Sequence, residues 1–352
     1  MADPIRLLIL GTGGMARNHA ENFAAIPGVT LVAGIDTRPE QLAAFQAAHG
    51  IPQGFASVDE ALAWGQFDAV TNVTPDAAHY ATTLPFLAAG KHVLCEKPLA
   101  TSEAQARQMA DAAARAGVVN MVNLTYRNVP ALQHAAALVQ RGAIGTVRHF
   151  EASYLQSWLT QDAWGAWDRE SQWLWRLSTK HGSKGVLGDV GIHILDFATF
   201  IAGQNATEIS CRLATFPKAP GDRIGEYPLD ANDSAAMHLV LENGAMGTVA
   251  ATRFASGHLN DLRLRLYGDR GGLEVSFENA VSRLRACLEP DLQSATWHEV
   301  EASDPPTVYQ RFIAAIRGEG PMEPDFARAA ALQKLLDRAE QSAAQGGCSL
   351  KI

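Results

Sequence analysis

One short motif near the amino terminus constrains this chain more than any other feature. An apolar run over residues 5–10 leads directly into Gly11-Thr12-Gly13-Gly14-Met15-Ala16, which opens a predicted helix. In a G-x-G-x-x-A turn the first glycine makes the bend, the second lets the backbone approach a pyrophosphate, and the small last residue lets helix and strand pack closely. The helix start also offers N–H groups and partial positive charge to phosphates. The motif predicts a dinucleotide site at Gly11, Gly13, Gly14, Met15 and Ala16.

An acidic residue stands where such a site needs one. Asp36 follows the next apolar run, 20 residues after Ala16. A carboxylate there can accept hydrogen bonds from the adenosine ribose of NAD, and it would repel the 2′-phosphate of NADP. Arg38, two residues later, can pair with that phosphate. NAD is therefore favoured, NADP stays open, and a plain strand-to-helix turn with a capping aspartate is the structural alternative.

The first 128 residues alternate short apolar runs with alanine-rich helical stretches. The runs predicted as strands are 5–10, 29–35, 69–73, 92–95 and 118–122, and the helical stretches between them include 15–25 and 39–49. Short strands that alternate with helices and are apolar on both faces indicate a doubly wound parallel sheet. Residues 1–128 are therefore predicted to form an α/β Rossmann domain that binds the dinucleotide.

Residues 129–352 follow a different pattern of longer alternating strands joined by tight turns. Asn243-Gly244, a dipeptide typical of type I′ hairpins, lies between predicted strands 233–241 and 245–254, and residues 268–271 join a second hairpin in the same style. Helices are predicted at 130–140, 307–317 and 325–345. This region is predicted to be an α+β domain with a large, mainly antiparallel open sheet that serves substrate binding and oligomerisation. Its C-terminal helices can pack back on the first domain.

Composition excludes several classes of partner. The chain has 29 Lys and Arg against 37 Asp and Glu, a dispersed net charge of -8, so it lacks the basic patch that nucleic acid or an anionic membrane requires. No apolar run approaches the roughly 18 residues of a membrane span, and the amino-terminal run is too short for a signal peptide. The four cysteines are scattered without CxxC spacing, which favours a reducing, cytoplasmic location and no thiolate metal site.

Two further motifs follow later strands, at the edge where open parallel sheets bind ligands. They are Thr74-Pro75-Asp76 with His79, and Glu96-Lys97-Pro98. Together with the glycine-rich start and the change of pattern after residue 128, they make the chain resemble the Gfo/Idh/MocA oxidoreductase family, the group of glucose-fructose oxidoreductase and inositol dehydrogenase. The resemblance covers essentially the whole chain, and Glu-Lys-Pro is its most specific element.

The resemblance implies an NAD(P)-dependent enzyme in which Lys97 stands at the nicotinamide and the substrate hydroxyl. The bond before Pro98 is often cis in that family, which fixes the local geometry. A lysine at this position can exchange a proton with an alcohol or stabilise an alkoxide. The resemblance also places Thr74, Pro75, His79, Glu96 and Asn123 in the cofactor site. The alternatives are a surface lysine beside a turn and a histidine that only packs.

Asp189 and His193 are the most informative pair beyond the first domain. On an α-helix they lie one turn apart and project from one face, where the carboxylate can set the charge and tautomer of the imidazole. The resemblance assigns both to the reacting carbinol together with Lys97. A pair of metal ligands and a buried structural pair are the alternatives, and no complete metal shell is predicted. Our working hypothesis is that His193 takes the proton while Lys97 polarises the oxygen; Asp196 is left outside the catalytic set.

Further residues are candidates for substrate binding. Tyr126 and Arg127 follow the fifth predicted strand, where the family joins cofactor and substrate. Five of the seven tryptophans fall between Trp158 and Trp175, and aromatic rings among charged residues suit sugar rings. Trp175 and Arg176 are the predicted contacts, although packing of the segment explains any single tryptophan equally well.

These observations predict an oxidoreductase that moves a hydride between NAD(P) and a secondary alcohol or ketone of a sugar, cyclitol or polyol. A redox-neutral, NAD-retaining glycosidase of the same fold is the alternative. A ligand-sensing regulator is disfavoured because both Lys97 and His193 are present. A homo-oligomer, dimer or tetramer, is expected.

Overall fold

The computed structural model describes residues 4–352, which divide into two compact units. The first comprises residues 4–125 and 306–333, and the second comprises residues 126–305 and 334–352. The chain therefore passes from the first unit to the second, returns to the first at residue 306 and enters the second again at residue 334.

The first unit contains a six-stranded parallel sheet. Its strands are β1 (Ile5–Leu10), β2 (Val29–Ile35), β3 (Gln53–Phe55), β4 (Ala69–Asn72), β5 (His92–Cys95) and β6 (Asn120–Val122). The strand order is β3-β2-β1-β4-β5-β6 with every pair parallel. This is the order of a dinucleotide-binding Rossmann sheet, in which the strand order reverses between β1 and β4 and leaves a crevice at the carboxyl ends of the strands.

Helices connect these strands because apolar residues recur along one face of each. They are α1 (Gly14–Ala24), α2 (Pro39–His49), α3 (Val58–Trp64), α4 (His79–Ala88) and α5 (Glu103–Ala116). A later helix, α9 (Val308–Ile316), also belongs to this unit, where Tyr309 and Phe312 pack in one core with Leu7 and Phe23. The predicted Rossmann fold is confirmed, except that the short strand β3 was not predicted.

The second unit is built on a nine-stranded mixed sheet. Its strands are β7 (Val147–Leu155), β8 (Ala206–Ala214), β11 (Ser234–Leu241), β12 (Met246–Thr252), β13 (Asp261–Gly268), β14 (Gly271–Glu278), β15 (Val281–Leu288), β16 (His298–Val300) and β17 (Leu350–Lys351). The order is β16-β15-β14-β13-β7-β12-β11-β8-β17, and only the β7–β12 pair is parallel. The predicted large, mainly antiparallel sheet is confirmed.

The remaining elements of the second unit are helical segments and one small hairpin. They are α6 (Pro130–Gln140), α7 (Ser171–Leu174), α8 (Ile192–Ala202), β9 (Arg223–Ile224) and β10 (Tyr227–Pro228). The division between the units falls inside α10 (Phe326–Ala344). Helix α8 is almost wholly buried, with a continuous apolar surface, so it forms the inner layer of this unit.

The hairpin turns differ from the sequence prediction. Gly244 has φ +82°, but Asn243 is not in the left-handed region, so the predicted type I′ turn is wrong. The loop has three residues, closed by the Leu241 N–H donating to the Ala245 carbonyl at 2.8 Å, and glycine takes the single left-handed position. A two-residue loop with both φ angles positive lies instead at Asn279 and Ala280, between β14 and β15.

Within residues 4–352, no helix is both long and apolar enough to cross a membrane. All four cysteines are free thiols, and Cys95, Cys211 and Cys287 are buried.

Candidate active site

The turn from β1 into α1 has the shape of a phosphate cradle. Gly11 adopts φ +85°, and a Cβ there would lie 2.9 Å from the Val73 carbonyl oxygen, so only glycine fits. A Cβ built at Gly13 or at Gly14 would have no heavy atom of the described residues within 4 Å. No side chain of residues 4–352 caps α1, and its first turn carries no acidic group. The exposed helix start and the open glycines fit a pyrophosphate.

Asp36 stands at the end of β2 beside this cradle. Its Oδ2 accepts hydrogen bonds from the backbone N–H and hydroxyl of Thr12 at 2.9 and 2.7 Å, and its Oδ1 accepts from the backbone N–H and Nε of Arg38 at 3.0 and 3.1 Å. Burial opposes ionisation, but the hydrogen bonds from Arg38 and Thr12 hold the pKa of Asp36 well below its usual range. The ionised carboxylate is therefore fixed in place as an acceptor.

Glu96, at the end of β5, anchors a buried polar network. Its Oε1 lies 2.8 Å from Nε2 of His19 and accepts from Nδ2 of Asn123 at 2.6 Å. Nδ1 of His19 lies 2.7 Å from the Thr71 hydroxyl, and Asn123 also donates to the Tyr309 hydroxyl at 3.1 Å. Burial raises the pKa of Glu96, but His19, Asn123 and the charge of Lys97 together lower it to about 2. The network joins α1, β4 and α9 to the carboxyl ends of β5 and β6, and Glu96 is the residue next to Lys97 in the chain.

Lys97 and Thr74 lie on neighbouring strand ends. The Lys97–Pro98 peptide is cis, and the Lys97 N–H donates to Oε2 of Glu96 at 3.2 Å. Thr74 donates from its backbone and its hydroxyl to Oδ1 of Asn72 at 3.1 and 2.7 Å. His79, at the start of α4, is fully buried and contacts both loops through its ring nitrogens. The two motifs that follow β4 and β5 thus form one rigid edge.

In the second unit, Asp189 lies in a widened helical turn. Residues Leu187–Gly191 form a π-helical turn that runs into α8, so the regular α-helical spacing predicted for Asp189 and His193 is wrong. π-turns occur frequently at functional sites, because the extra residue redirects side chains. The turn has Gly188 and Gly191 on either side of Asp189 and Val190.

Two arginines hold the Asp189 carboxylate. Nη1 of Arg176 donates to Oδ1 at 3.1 Å, and Nη2 of Arg253 donates to Oδ2 at 3.2 Å. Arg253 is completely buried, stacks 5.0 Å above the Trp158 ring and also donates to the Arg176 carbonyl at 3.1 Å. Burial lowers the pKa of Arg253, although the charge of Asp189 opposes that shift. The carboxylate is thereby stabilised as an anion with part of its surface open.

His193 packs against two tyrosines. Its ring centroid lies 4.9 Å from that of Tyr126, edge to face, and 6.5 Å from that of Tyr154. The hydroxyls of the two tyrosines are hydrogen-bonded to each other, and Tyr154 donates to Oδ1 of Asn260 at 2.8 Å. Burial raises the pKa of Tyr126 to about 12, with a contribution from the charge of Asp189. Tyr126 therefore links the surroundings of Asp189 and His193, and it stays protonated.

The Arg127 side chain is bound to another side chain inside the second unit and is not open to solvent. Its side chain is buried and donates to Asp196 from Nε at 2.6 Å and from Nη2 at 2.8 Å. The guanidinium also lies 3.4 Å from the Phe200 ring centroid. The candidate Arg127 and the excluded Asp196 thus form one buried ion pair that joins the turn before α6 to the inner helix α8.

The tryptophan-rich segment separates into packed and exposed rings. Trp158 belongs to a hydrophobic cluster with Leu174, Leu177 and others, and Trp164, Trp167 and Trp173 pack against it. Trp175 is 36% exposed, with the Arg176 guanidinium 4.8 Å from its ring centroid. Four of the five tryptophans therefore stabilise the segment, and Trp175 is the ring available to a ligand.

One other group resembles a cation site. His258, Asp261 and Glu278 place ligand atoms within 4.8 Å of one another. Arg263 donates to Asp261 at 2.9 Å and to Glu278 at 3.4 Å, so a guanidinium already balances both carboxylates. This arrangement is a salt-bridge network.

Sequence reasoning missed several residues that shape the site. Arg253 follows the strand β12, and no motif marks it. His19 is one of several polar residues on α1, so nothing in the sequence distinguishes it. Tyr309 is remote in sequence from the residues it contacts. The only available signal for Arg253 was that it is the single charged residue of the predicted strand 245–254.

Known proteins share this architecture. The family model for an oxidoreductase family with an NAD-binding Rossmann fold matches residues 5–124, and the model for the GFO/IDH/MocA C-terminal domain matches residues 132–274. The chain belongs to the Gfo/Idh/MocA oxidoreductase family. The predictions of family, of an enzyme and of an NAD(P) cofactor are confirmed.

Individual relatives illustrate the range of the family. Levoglucosan dehydrogenase of Pseudarthrobacter phenanthrenivorans is 27% identical over 291 residues, covering 77% of this chain and 73% of the relative. The NADP(+)-dependent scyllo-inositol 2-dehydrogenase of Bacillus subtilis is 32% identical over 199 residues, covering 56% of this chain and 58% of the relative. The crystal structure of an oxidoreductase domain protein from Kribbella flavida has a TM-score of 0.86 at 30% identity and covers 100% of both chains.

Proposed function

We propose that this member of the Gfo/Idh/MocA family is an NAD-dependent dehydrogenase or reductase for a secondary alcohol or ketone of a sugar, cyclitol or related polyol. The observation that carries the proposal is the position of Arg176. Its guanidinium contacts both the Asp189 carboxylate, at 3.1 Å, and the partly exposed Trp175 ring, at 4.8 Å. A carboxylate, a guanidinium and an aromatic face together match the hydroxyls and the apolar face of a sugar ring. The relatives named for levoglucosan and scyllo-inositol support this substrate class.

The cofactor is assigned to the residues of the Rossmann cradle. Gly11, Gly13 and Gly14 would hold the pyrophosphate at the start of α1, and Asp36 would hold the adenosine ribose. NAD is favoured over NADP because the ionised Asp36 repels a 2′-phosphate and Arg38 is already paired with that carboxylate. When bound, the nicotinamide accepts a hydride or returns it.

Proton handling is assigned to Lys97, His193 and Asp189. Asp189 is held as an anion by two arginines, so it can accept a hydrogen bond from a substrate hydroxyl and orient it. His193 is the proposed proton acceptor, and the Tyr126 ring against it fixes the plane of the imidazole. The Lys97 ammonium is proposed to stabilise charge on the reacting oxygen. General acid–base groups of this kind contribute about 10²- to 10⁴-fold to a rate.

A substrate panel tests the reaction class. The purified chain is mixed with oxidised NAD or NADP and with sugars, sugar acids, levoglucosan and inositols, and reduced cofactor is followed by absorbance. We expect reduced NAD to accumulate stoichiometrically with product for at least one polyol. Cleavage of a glycoside without reduced NAD would favour the redox-neutral glycosidase, and cofactor binding without any turnover would favour a regulator.

Point variants test the residues. Lys97→Ala and His193→Ala are each expected to lower turnover by about 10²-fold or more while NAD affinity stays within about threefold. Lys351→Ala and His298→Ala are the matched controls, because both side chains are exposed on the second unit. Full turnover in either test variant would remove that residue from the mechanism.

We also propose that copies of the chain associate through the open face of the nine-stranded sheet. On β13 the burial alternates, with Arg263 and Arg265 exposed, and Met246 on β12 is 60% exposed. Light scattering at several concentrations tests this assignment, and a monomer at every concentration would contradict it.

A further inference from the structure

His79 has an unusual pair of contacts. Its side chain is completely buried at the start of α4. Nδ1 lies 2.8 Å from the Pro98 carbonyl oxygen, and Nε2 lies 2.8 Å from the Thr74 carbonyl oxygen. A backbone carbonyl oxygen can only accept a hydrogen bond, and a neutral imidazole carries only one N–H. Both contacts are hydrogen bonds only when both ring nitrogens are protonated.

The surroundings supply compensation for a buried cation. Cys95 on β5 and Asp76, in the short turn before α4, lie close enough to act on the charge of the ring. Burial alone would lower the pKa of His79, but Cys95, Asp76 and the Pro98 carbonyl raise it to about 10. The geometry and the electrostatics therefore agree on a charged ring.

The two carbonyl groups belong to different loops. Thr74 follows β4 and is itself fixed through Asn72, whose Nδ2 donates to the hydroxyls of Thr82 and Thr83 at 2.9 Å. Pro98 follows β5 and is the residue next to Lys97. A ring that binds both carbonyls transmits the fixed position of the first loop to the second.

We propose that His79 is a standing imidazolium that acts as a positioning residue for Lys97, by tying the Pro98 carbonyl to the loop after β4. The kinetic part of this inference rests on the role proposed above for Lys97; the charge state of the ring does not. The ring itself touches neither cofactor nor substrate in this role. Its removal leaves the cradle at α1 intact and changes only where the lysine points.

The charge state is tested directly by NMR of the wild-type chain with ¹⁵N-labelled histidine, using the spectrum of His79→Gln to assign the signal. We expect both ring nitrogens of His79 to carry a proton from pH 6 to pH 9. A ring nitrogen without a proton at pH 8 would overturn the inference, whatever the enzyme does. This measurement needs no substrate, and if His79→Gln does not fold, the signal is assigned by elimination from variants at the other histidines.

The positioning role is tested by kinetics. His79→Gln keeps one donor and loses the charge, and we expect kcat to fall by about 10²-fold, since small displacements of a reacting group cost that much. The dissociation constant for NAD is expected to stay within about threefold, and His79→Lys, which restores a cation, is expected to recover part of kcat. Equal losses of kcat and NAD affinity, or no loss of kcat, would overturn the positioning role. If Lys97→Ala is fully active, the proposed role of Lys97 fails while the NMR result stands.

Discussion

Alanine substitutions at two glycines of the cradle, Gly11 and Gly13, are expected to damage different properties of the protein. Gly13→Ala should weaken cofactor binding, and Gly11→Ala should lower stability. At Gly13 the backbone has φ -73° and ψ -168°, which alanine adopts readily. A Cβ added there would have no heavy atom of the described residues within 4 Å. Two small effects on folding oppose each other there: alanine restricts the unfolded chain, and it is a poorer helix cap than glycine. The free energy of unfolding of Gly13→Ala should therefore stay within about 1 kcal/mol of wild type.

Cofactor affinity should respond strongly to the same change. A methyl group at Gly13 occupies the open space where the pyrophosphate approaches the α1 amides. Hydrogen bonds to charged groups contribute about 1.5–3 kcal/mol each. Loss of one corresponds to roughly a 10- to 100-fold weaker dissociation constant for NAD. Isothermal titration calorimetry measures that constant, and urea unfolding measures stability on the same preparation.

Gly11→Ala is the matched control, because we expect it to lower the stability that Gly13→Ala leaves almost unchanged. Alanine at φ +85° costs about 1–2 kcal/mol, and its Cβ would lie 2.9 Å from a backbone oxygen that cannot move aside. We expect the unfolding midpoint to fall clearly in this variant. The reasoning is refuted if Gly13→Ala binds NAD with wild-type affinity, or if Gly11→Ala is as stable as wild type.

Three further expectations follow from the charged groups. Asp36→Asn should weaken NAD binding and improve NADP binding, because the repelling charge is gone; titration with both cofactors measures the ratio, and an unchanged ratio refutes the role of this carboxylate. Glu96 has its pKa lowered from 4.5 to about 2, so its ionised form contributes about 3 kcal/mol above pH 4.5 that is lost as pH falls towards 2; urea unfolding against pH should show Glu96→Gln less stable than wild type at pH 7 and equally stable near pH 2, and a constant difference would contradict the assignment. Arg253→Met should cost about 3 kcal/mol, the low end for one partner of a buried pair because Arg176 still faces Asp189, whereas Arg176→Met, whose side chain is 32% exposed, should cost at most about 1 kcal/mol; equal losses in urea unfolding would refute the difference in burial.

Much of the architecture could be predicted because apolar periodicity and glycine positions are local signals. The helix at Pro39–His49 and the strands at Ile5–Leu10 and Val29–Ile35 fall where the pattern indicates. The strand Gln53–Phe55 has three residues and no apolar run, so periodicity gives it no signal. Asn243 was assigned to the wrong turn type because a dipeptide does not report the number of residues in the loop.

The site residues were predictable where a motif marks them and not where tertiary contacts define them. Asp36 and Gly11 follow from spacing alone. The π-turn around Asp189 depends on packing within the second unit, which no helical period reveals. Arg253 and Tyr309 acquire their roles from partners far away in sequence, and a single sequence contains no record of such pairs.

The discontinuous first unit has a consequence for synthesis of the protein. Its core joins Ile5 and Leu7 to Val308, Tyr309 and Phe312, so the strand β1 must wait for residues that are translated about 300 positions later. The nine-stranded sheet is translated almost completely in that interval. A fragment that stops at the end of the parallel sheet would expose the apolar surface that α9 covers, and the cofactor-binding unit can reach its native state only after α9 has been translated.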